Sequence, residues 1–513
     1  MLGLGLEGMY GRWPAWAVNP FIGCVMLCGL VILGQSQLVG NKEPEKKSAK
    51  KGGGRDAEFQ AFQRQWLLVY LLTMLADWLQ GTHMYSLYES YGQPPGMLFS
   101  IGFTSSAVFG TFLGILVDKY GRKRACIAFC LLEIVINLLE HVNNWELLIL
   151  GRVLGGISTS LLFTAFESWM VSEHRRRGFP EEDLAKTFSL AQKGNGICAV
   201  LAGVMAQVSA DHLGHIGPFQ LAIFLTILAL FFVLSWRENY GGDGSDNEKQ
   251  HLFGDAVKCI RKDSRILLLG MNQSLFEGAM YTFVIMWVPT LARMVPGGRP
   301  GEFSFDVFAP GQGWIFAAMM VCITIGGELF AGMLKITTVW RGCVVIFFVA
   351  ASAMLVPIFS SSFGMVLASF LVVEACVGAT FGAMATMRTK LLPDALQASI
   401  MNIFRLPLNL LVVTGGRLGD LVAPKHVFAT VSAWFFLAGI LQVLLQHLVT
   451  ASDLASPSPR KPLADPLAKS PLPAKKSKGA RSPSPIGSAT PKKGKGGDVR
   501  SPVRTRKSTG GAR

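Results

Sequence analysis

Charge is what this sequence has little of. Asp, Glu, Lys and Arg make up 16% of its 513 residues, against about 25% in ordinary soluble domains. That deficit excludes a water-facing surface over most of the chain. Metal signatures are missing too. The nine cysteines form no CxxC pair, and no His or Asp stands at ligand spacing from Cys24/Cys28 or Cys126/Cys130. Most lie inside apolar runs and read as buried free thiols. There is no HExxH, no nucleophile elbow and no phosphate-binding glycine loop, so the chain offers neither enzyme chemistry nor a cofactor site. Aromatic residues do not interleave with the basic ones, which argues against nucleic acid despite a net charge of +15.

What is abundant is apolar sequence. Half of the residues are hydrophobic, and the mean hydropathy is +0.40. A membrane span needs only ~20 apolar residues, and such runs come in two sets of six with one extra ahead of them. The first set falls at 64–88, 97–117, 124–141, 146–171, 186–210 and 216–236. The second falls at 265–292, 311–334, 341–360, 363–387, 397–420 and 426–449. The fold class expected is therefore an all-α polytopic membrane protein, a 6+6 helix bundle with one further N-terminal helix.

The domain plan follows. Residues 1–40 hold the extra hydrophobic segment, which reads as a signal anchor or a signal peptide. Arg12 flanks it and the Ser36–Gly40 stretch has only a weak cleavage pattern, so a retained helix is the better reading. Residues 41–63 are a polar basic linker, 64–236 the first six-helix bundle, 237–264 a central loop and 265–450 the second bundle. The tail, 451–513, carries 15 Lys/Arg against Asp453, Asp465 and Asp498. With Ser-Pro or Thr-Pro at Ser456, Ser458, Ser470, Ser482, Ser484, Thr490 and Ser501, it reads as disordered and open to phosphorylation, or as a passive solvated tail. Lys and Arg gather on one face of this topology, which places the central loop and the tail in the cytoplasm. A basic tail beside a membrane is a retention or lipid-surface feature.

Between the second and third core segments runs Gly114-Ile115-Leu116-Val117-Asp118-Lys119-Tyr120-Gly121-Arg122-Lys123-Arg124. It resembles the G-x-L-x-D-x-x-G-R-K loop of the major facilitator superfamily. The chemistry suits such a loop: Gly114 lets two helices approach, Gly121 permits a tight turn, and Asp118 faces a helix N-terminus or the cations. Gly114, Asp118, Gly121, Arg122 and Lys123 are accordingly the candidate conformational-gate loop. A closer resemblance, to the molybdate-anion transporter family, is carried by Ala76 to Gly81, Gly151 to Thr159, Ala165 to Trp169, Trp236 to Tyr240, Leu275 to Glu277 and Asn402 to Asn409. These cover roughly residues 60–450. The resemblance implies transport of molybdate or a similar oxyanion by alternating access, across the plasma membrane.

Ionisable residues at bilayer depth are costly and usually functional. Asp77 follows Arg64 by 13 residues and Glu277 follows Arg265 by 12, which puts both about 18–20 Å from their helix ends. Lys193 follows Pro180 by 13 and Arg405 follows Pro393 by 12. Equivalent helices of the two halves thus present acids from one pair and cations from another, and a quasi-symmetric site of Asp77, Lys193, Glu277 and Arg405 is expected. A tetrahedral dianion needs converging donors. Arg405, Arg152 and Lys193 are the candidate oxyanion contacts, and Asn195, Asn402 and Asn409 the candidate amide donors. Asp77, Glu167, Glu277 and Glu374 are candidates for a coupling proton, which offsets the ~2.3 kcal/mol per charge per 100 mV opposing anion entry. Arg152 has a structural alternative as partner of an acid on a neighbouring helix, Lys193 as a snorkelling side chain, and Glu167 as part of a cytoplasmic gate near Arg175. Glu133, Glu140 and Glu328 read as structural. Competing functions are a carrier of another small anionic or organic solute, and a non-transporting receptor or scaffold.

Overall fold

The computed structural model describes residues 13–38, 53–240, 246–299, 301–393 and 396–455. Most of the basic linker and nearly all of the Ser/Pro-rich tail lie outside them. Every described element is helical. After α1 (Ala15–Leu38) come six long helices: α2 (Gly53–Ser90), α3 (Pro95–Tyr120), α4 (Arg122–Leu139), α5 (Trp145–Arg176), α6 (Glu181–Leu213) and α7 (Gly217–Leu234). An amphipathic α8 (Asp246–Lys262) precedes the second set. That set is α9 (Ser264–Ala292), the short α10 (Phe305–Phe308), α11 (Gln312–Met333), α12 (Val339–Ala353), the short α13 (Val356–Phe359), α14 (Phe363–Leu391), α15 (Gln397–Leu421) and α16 (Pro424–Ala455). Ten of the described helices are long and apolar enough to cross a membrane. The chain is a polytopic all-α membrane protein.

Helix starts are set locally. Asn144 accepts from Leu147 N at 3.0 Å to open α5, and Asp263 accepts from Arg265 N at 2.9 Å to open α9, each satisfying an otherwise orphaned donor. The outward faces carry Leu30, Phe231, Ile197 and Leu410, all widely exposed, as expected of surface bathed in hydrocarbon.

The two sets pack alike. In the first, α2 packs on α6 and α7, α3 on α5, and α4 on α5 and α7. In the second, α9 packs on α15 and α16, α11 on α14, and α12 on α14 and α16. The pairing scheme of one half is therefore repeated in the other. Small residues permit the closest approaches: a Cβ at Gly156 would strike Gly102 and Ser105 of α3, and one at Gly378 would strike the Ile323 backbone of α11.

The halves meet along two seams, α3 with α15 and α6 with α11, which the repeat exchanges for one another. Gly96 abuts Gly416 in the first and Gly203 abuts Gly313 in the second. Gly96 N donates to Asp420 Oδ1 (3.0 Å) and Ser100 Oγ to Val413 O (3.4 Å). Ser86 Oγ donates to Gln312 Oε1 (2.7 Å), Gln312 Nε2 to Thr82 O (2.7 Å) and Gly313 N to Gln207 Oε1 (2.8 Å). All of these described bonds lie at the end away from Lys119–Arg124 and Arg175–Arg177. That far end is latched, and the basic end is not held by any of them.

Candidate functional site

α9 carries Gln273, Glu277 and Tyr281 at four-residue spacing, so their side chains form one stripe on one helix face. The Gln273 side chain hydrogen-bonds Glu277, and its Oε1 accepts from Arg388 Nη1 of α14 at 3.3 Å. Glu277 stands in the field of both Arg388 and Arg405. Tyr281 stands in that of Glu277, Arg405 and Asp77, the last contributed by α2 of the other half. The Tyr281 ring also meets Phe103 of α3, centroids 5.1 Å apart, so this stripe reaches across the midline.

Arg405 is aimed by its neighbours. Phe404 occupies the space above Gly270, where any Cβ would collide with its ring, and Ser274 Oγ donates to Phe404 O at 3.0 Å. Asn402, Arg405 and Asn409 share one face of α15. The helix continues through Pro407, which leaves the Ile403 carbonyl without its intrahelical donor.

Three of the four expected charges, Asp77, Glu277 and Arg405, thus gather around Tyr281. Lys193 does not join them. It is exposed on the stripe that carries Leu190, Ile197 and Leu201, each at least 47% exposed, which is the geometry of a snorkelling amine. Two residues on, Asn195 turns inward and its Oδ1 accepts from Trp78 Nε1 at 2.9 Å.

Arg152 is engaged elsewhere. Its Nη2 donates to Glu140 Oε1 at 2.6 Å, Tyr88 OH donates to the same oxygen at 2.9 Å, and its guanidinium lies 5.6 Å from the Tyr88 ring centre. Its charge is neutralised inside the first half. A second buried acid there, Glu133, accepts from Ser158 Oγ (2.5 Å) and Gln80 Nε2 (2.8 Å). Glu374 is buried beside Cys322 at the α11–α14 contact, and Glu167 lies near Tyr70.

Arg388, Gln273 and Tyr281 belong to the central cluster although sequence reasoning did not select them. Arg388 reads as a loop cation at the basic end, yet α14 extends to Leu391 and carries it on the helix.

At the basic end, Asp118 Oδ1 accepts from Arg122 Nε (3.0 Å) and Nη2 (2.8 Å). Gly121 turns with φ 113°, a conformation that favours glycine. Glu238 accepts from Lys123 N (2.8 Å) and Arg124 N (3.1 Å), capping α4 from a distance. Trp236 stacks on Trp169 at 3.9 Å, and Trp169 Nε1 donates to Arg237 O at 2.8 Å. The segment after α7 therefore staples the candidate gate loop to α5.

Residues 27–386 match a family described as sugar transporters with 12 transmembrane segments. The chain is 34% identical over 386 residues to a molybdate-anion transporter of Xenopus laevis, covering 72% of this chain and 82% of that one. It is 31% identical over 443 residues to a molybdate-anion transporter of Danio rerio, covering 77% and 89%. The chain belongs to the molybdate-anion transporter family. The nucleoside transporter NupG, 13% identical, superposes with a TM-score of 0.58 over 75% of this chain and 99% of its own, which shows the shared major facilitator fold. As a member of the family the chain is a membrane transporter.

Proposed function

We propose that the chain carries molybdate or a similar tetrahedral oxyanion by alternating access, with Arg405 and Arg388 as its main anion contacts. The observation that carries this reading is Glu277 lying within the field of two guanidinium groups, beside Tyr281, which also stands in the field of Asp77 of the opposite half. Glu277 and the cargo then compete for the same cations. A proton taken up by Glu277 removes its claim and leaves Arg388 and Arg405 free to bind a dianion bidentately. Release of that proton returns the carboxylate and expels the anion. Anion entry is thereby tied to proton entry, which reduces the electrical work of moving a dianion into a negative interior.

Asn402 and Asn409, on the Arg405 face, supply neutral donors, and Asp77 is a second proton acceptor. Arg152 and Glu374 act from within their own halves; Asn195 orients Trp78, and Glu167 and Lys193 act toward the basic end. The asymmetric loading of Lys and Arg supports a cytoplasmic basic end, so the latched far end faces outward and the described state is inward-facing. The relatives' name supports molybdate, and a plasma-membrane location accords with uptake.

The test is uptake of radiolabelled molybdate in cells lacking their own carrier, with excess sulfate as competitor. Wild-type uptake above an empty-vector control is expected, with loss in Arg405→Ala. Uptake at background in the wild type would overturn the cargo, and uptake untouched by Arg405→Ala would overturn the site.

A further inference from the structure

α1 lies outside the twelve-helix repeat, yet it is not loosely placed. Trp16 packs against Gly311, at a position where a Cβ would strike the ring, and it meets Phe308 and Phe363 at 5.9 and 5.2 Å. Phe21 meets Trp314 at 5.3 Å. Cys24 Sγ lies 3.5 Å from Cys322 Sγ, and Gln35 Nε2 donates to the Glu328 carbonyl. α1 is thus seated along the length of α11, a helix of the second half. Its opposite face, Val25, Met26, Leu30 and Leu33, is exposed.

One residue of the same segment reaches the first half. The Trp13 ring packs on Trp314 of α11 at 4.9 Å, while its Nε1 donates to Asp211 Oδ2 of α6 at 2.7 Å. The other oxygen of Asp211 accepts from Gln207 Nε2 at 2.8 Å, and Gln207 in turn accepts from Gly313 N. The chain Trp13–Asp211–Gln207–Gly313 therefore runs from the extra helix through α6 to the start of α11, beside the Gly203–Gly313 contact.

We propose that α1 is a brace for the far-end gate, with Trp13 and Asp211 as positioning residues that bias the carrier toward the state closed at that end. This rests on the alternating-access reading given above. Separating α6 from α11 at the far end breaks the Trp13–Asp211 bond and releases Gln207 from the orientation that meets Gly313. A hydrogen bond to a carboxylate is among the stronger ones, so removing the indole donor shifts the balance toward opening by roughly tenfold. A helix that merely covers the lipid-facing side of α11 has no such effect.

The experiment is hydrogen exchange by mass spectrometry on the full chain in lipid nanodiscs, comparing wild type with Trp13→Phe and Asp211→Leu. Seating of α1 is checked separately by diamide, which accepts the two protons and two electrons lost when Cys24 and Cys322 join. Expected is a Cys24–Cys322 linked peptide in wild type and both variants. Exchange should rise roughly tenfold at 82–100 and 309–317 in the variants, with 126–137 unchanged. Equal exchange in wild type and both variants, with the linked peptide present, overturns the brace, as does a wild type that forms no such peptide. Molybdate is absent from this assay, so a failed cargo assignment leaves its outcome unaffected.

Discussion

Arg152 Nη2 stands 2.6 Å from Glu140 Oε1, and the Glu140 side chain is wholly buried. Removing one partner of such a pair strands the other, at about 3–5 kcal/mol. Arg152→Gln should therefore lower the thermal unfolding midpoint in detergent sharply, and Glu140→Gln with Arg152→Gln should recover much of the loss. Molybdate uptake by the double variant separates the two roles. Retained uptake identifies Arg152 as structural, whereas a stable double variant with no uptake identifies it as an anion contact.

The central cluster makes a different prediction. On the proposed reading Arg405→Ala and Arg388→Ala each remove a charged donor to the anion, so uptake at subsaturating molybdate should fall about tenfold or more, the equivalent of ~1.4 kcal/mol. The unfolding midpoint of Arg405→Ala should move little, because Arg405 is exposed in the described state. Glu277→Gln imitates the protonated acid. It should bind molybdate at least as well as wild type in an equilibrium assay, yet lose the stimulation of uptake by external acid. Acid stimulation that survives Glu277→Gln removes Glu277 from the coupling role.

Glycines at the helix contacts should divide into two classes. Gly378→Val forces α14 from α11 within one half, where neither backbone has room to move, and overpacking of this kind costs about 1–3 kcal/mol. A lower unfolding midpoint is the readout. Gly203→Val acts between the halves instead, against Gly313 and Ala317. Its unfolding midpoint should stay near wild type while hydrogen exchange rises at 309–317. A midpoint that drops equally for both would show that the far-end seam is part of the core.

Glu238→Ala removes the acceptor for Lys123 N and Arg124 N. Loss of a helix cap typically costs ~1 kcal/mol, and the loop at Gly121 should become the first site of tryptic cleavage. Cleavage at Lys123 or Arg124 no faster than in wild type would argue that Trp236 and Trp169 hold the loop unaided.

The helical bundle was legible because lipid imposes it: unbroken apolar runs of span length have no other stable home. The repeat was legible in charge spacing, and Asp77, Glu277 and Arg405 do share a neighbourhood. Lys193 shows where counting from helix ends stops informing. Depth along a helix says nothing of azimuth, and one residue is worth 100° of rotation, so a charge at the right height can still face the outer surface. Arg388 illustrates the converse, since a cation near a helix end reads as a loop residue until the helix length is known. The Arg152–Glu140 pair needed the packing of α4 against α5, a tertiary fact that spacing in sequence does not contain.

Phe404 over Gly270 bears on how the carrier tolerates change over evolutionary time. The ring keys α15 to α9 at one rotational setting, and the next residue along is Arg405, the proposed anion contact. Any side chain grown at position 270 would strike the Phe404 ring and disturb the packing beside Arg405 without touching that charge. The setting of Arg405 is therefore guarded by a hydrogen atom, and a lineage that loses this glycine must shrink or move the Phe404 ring to keep that packing.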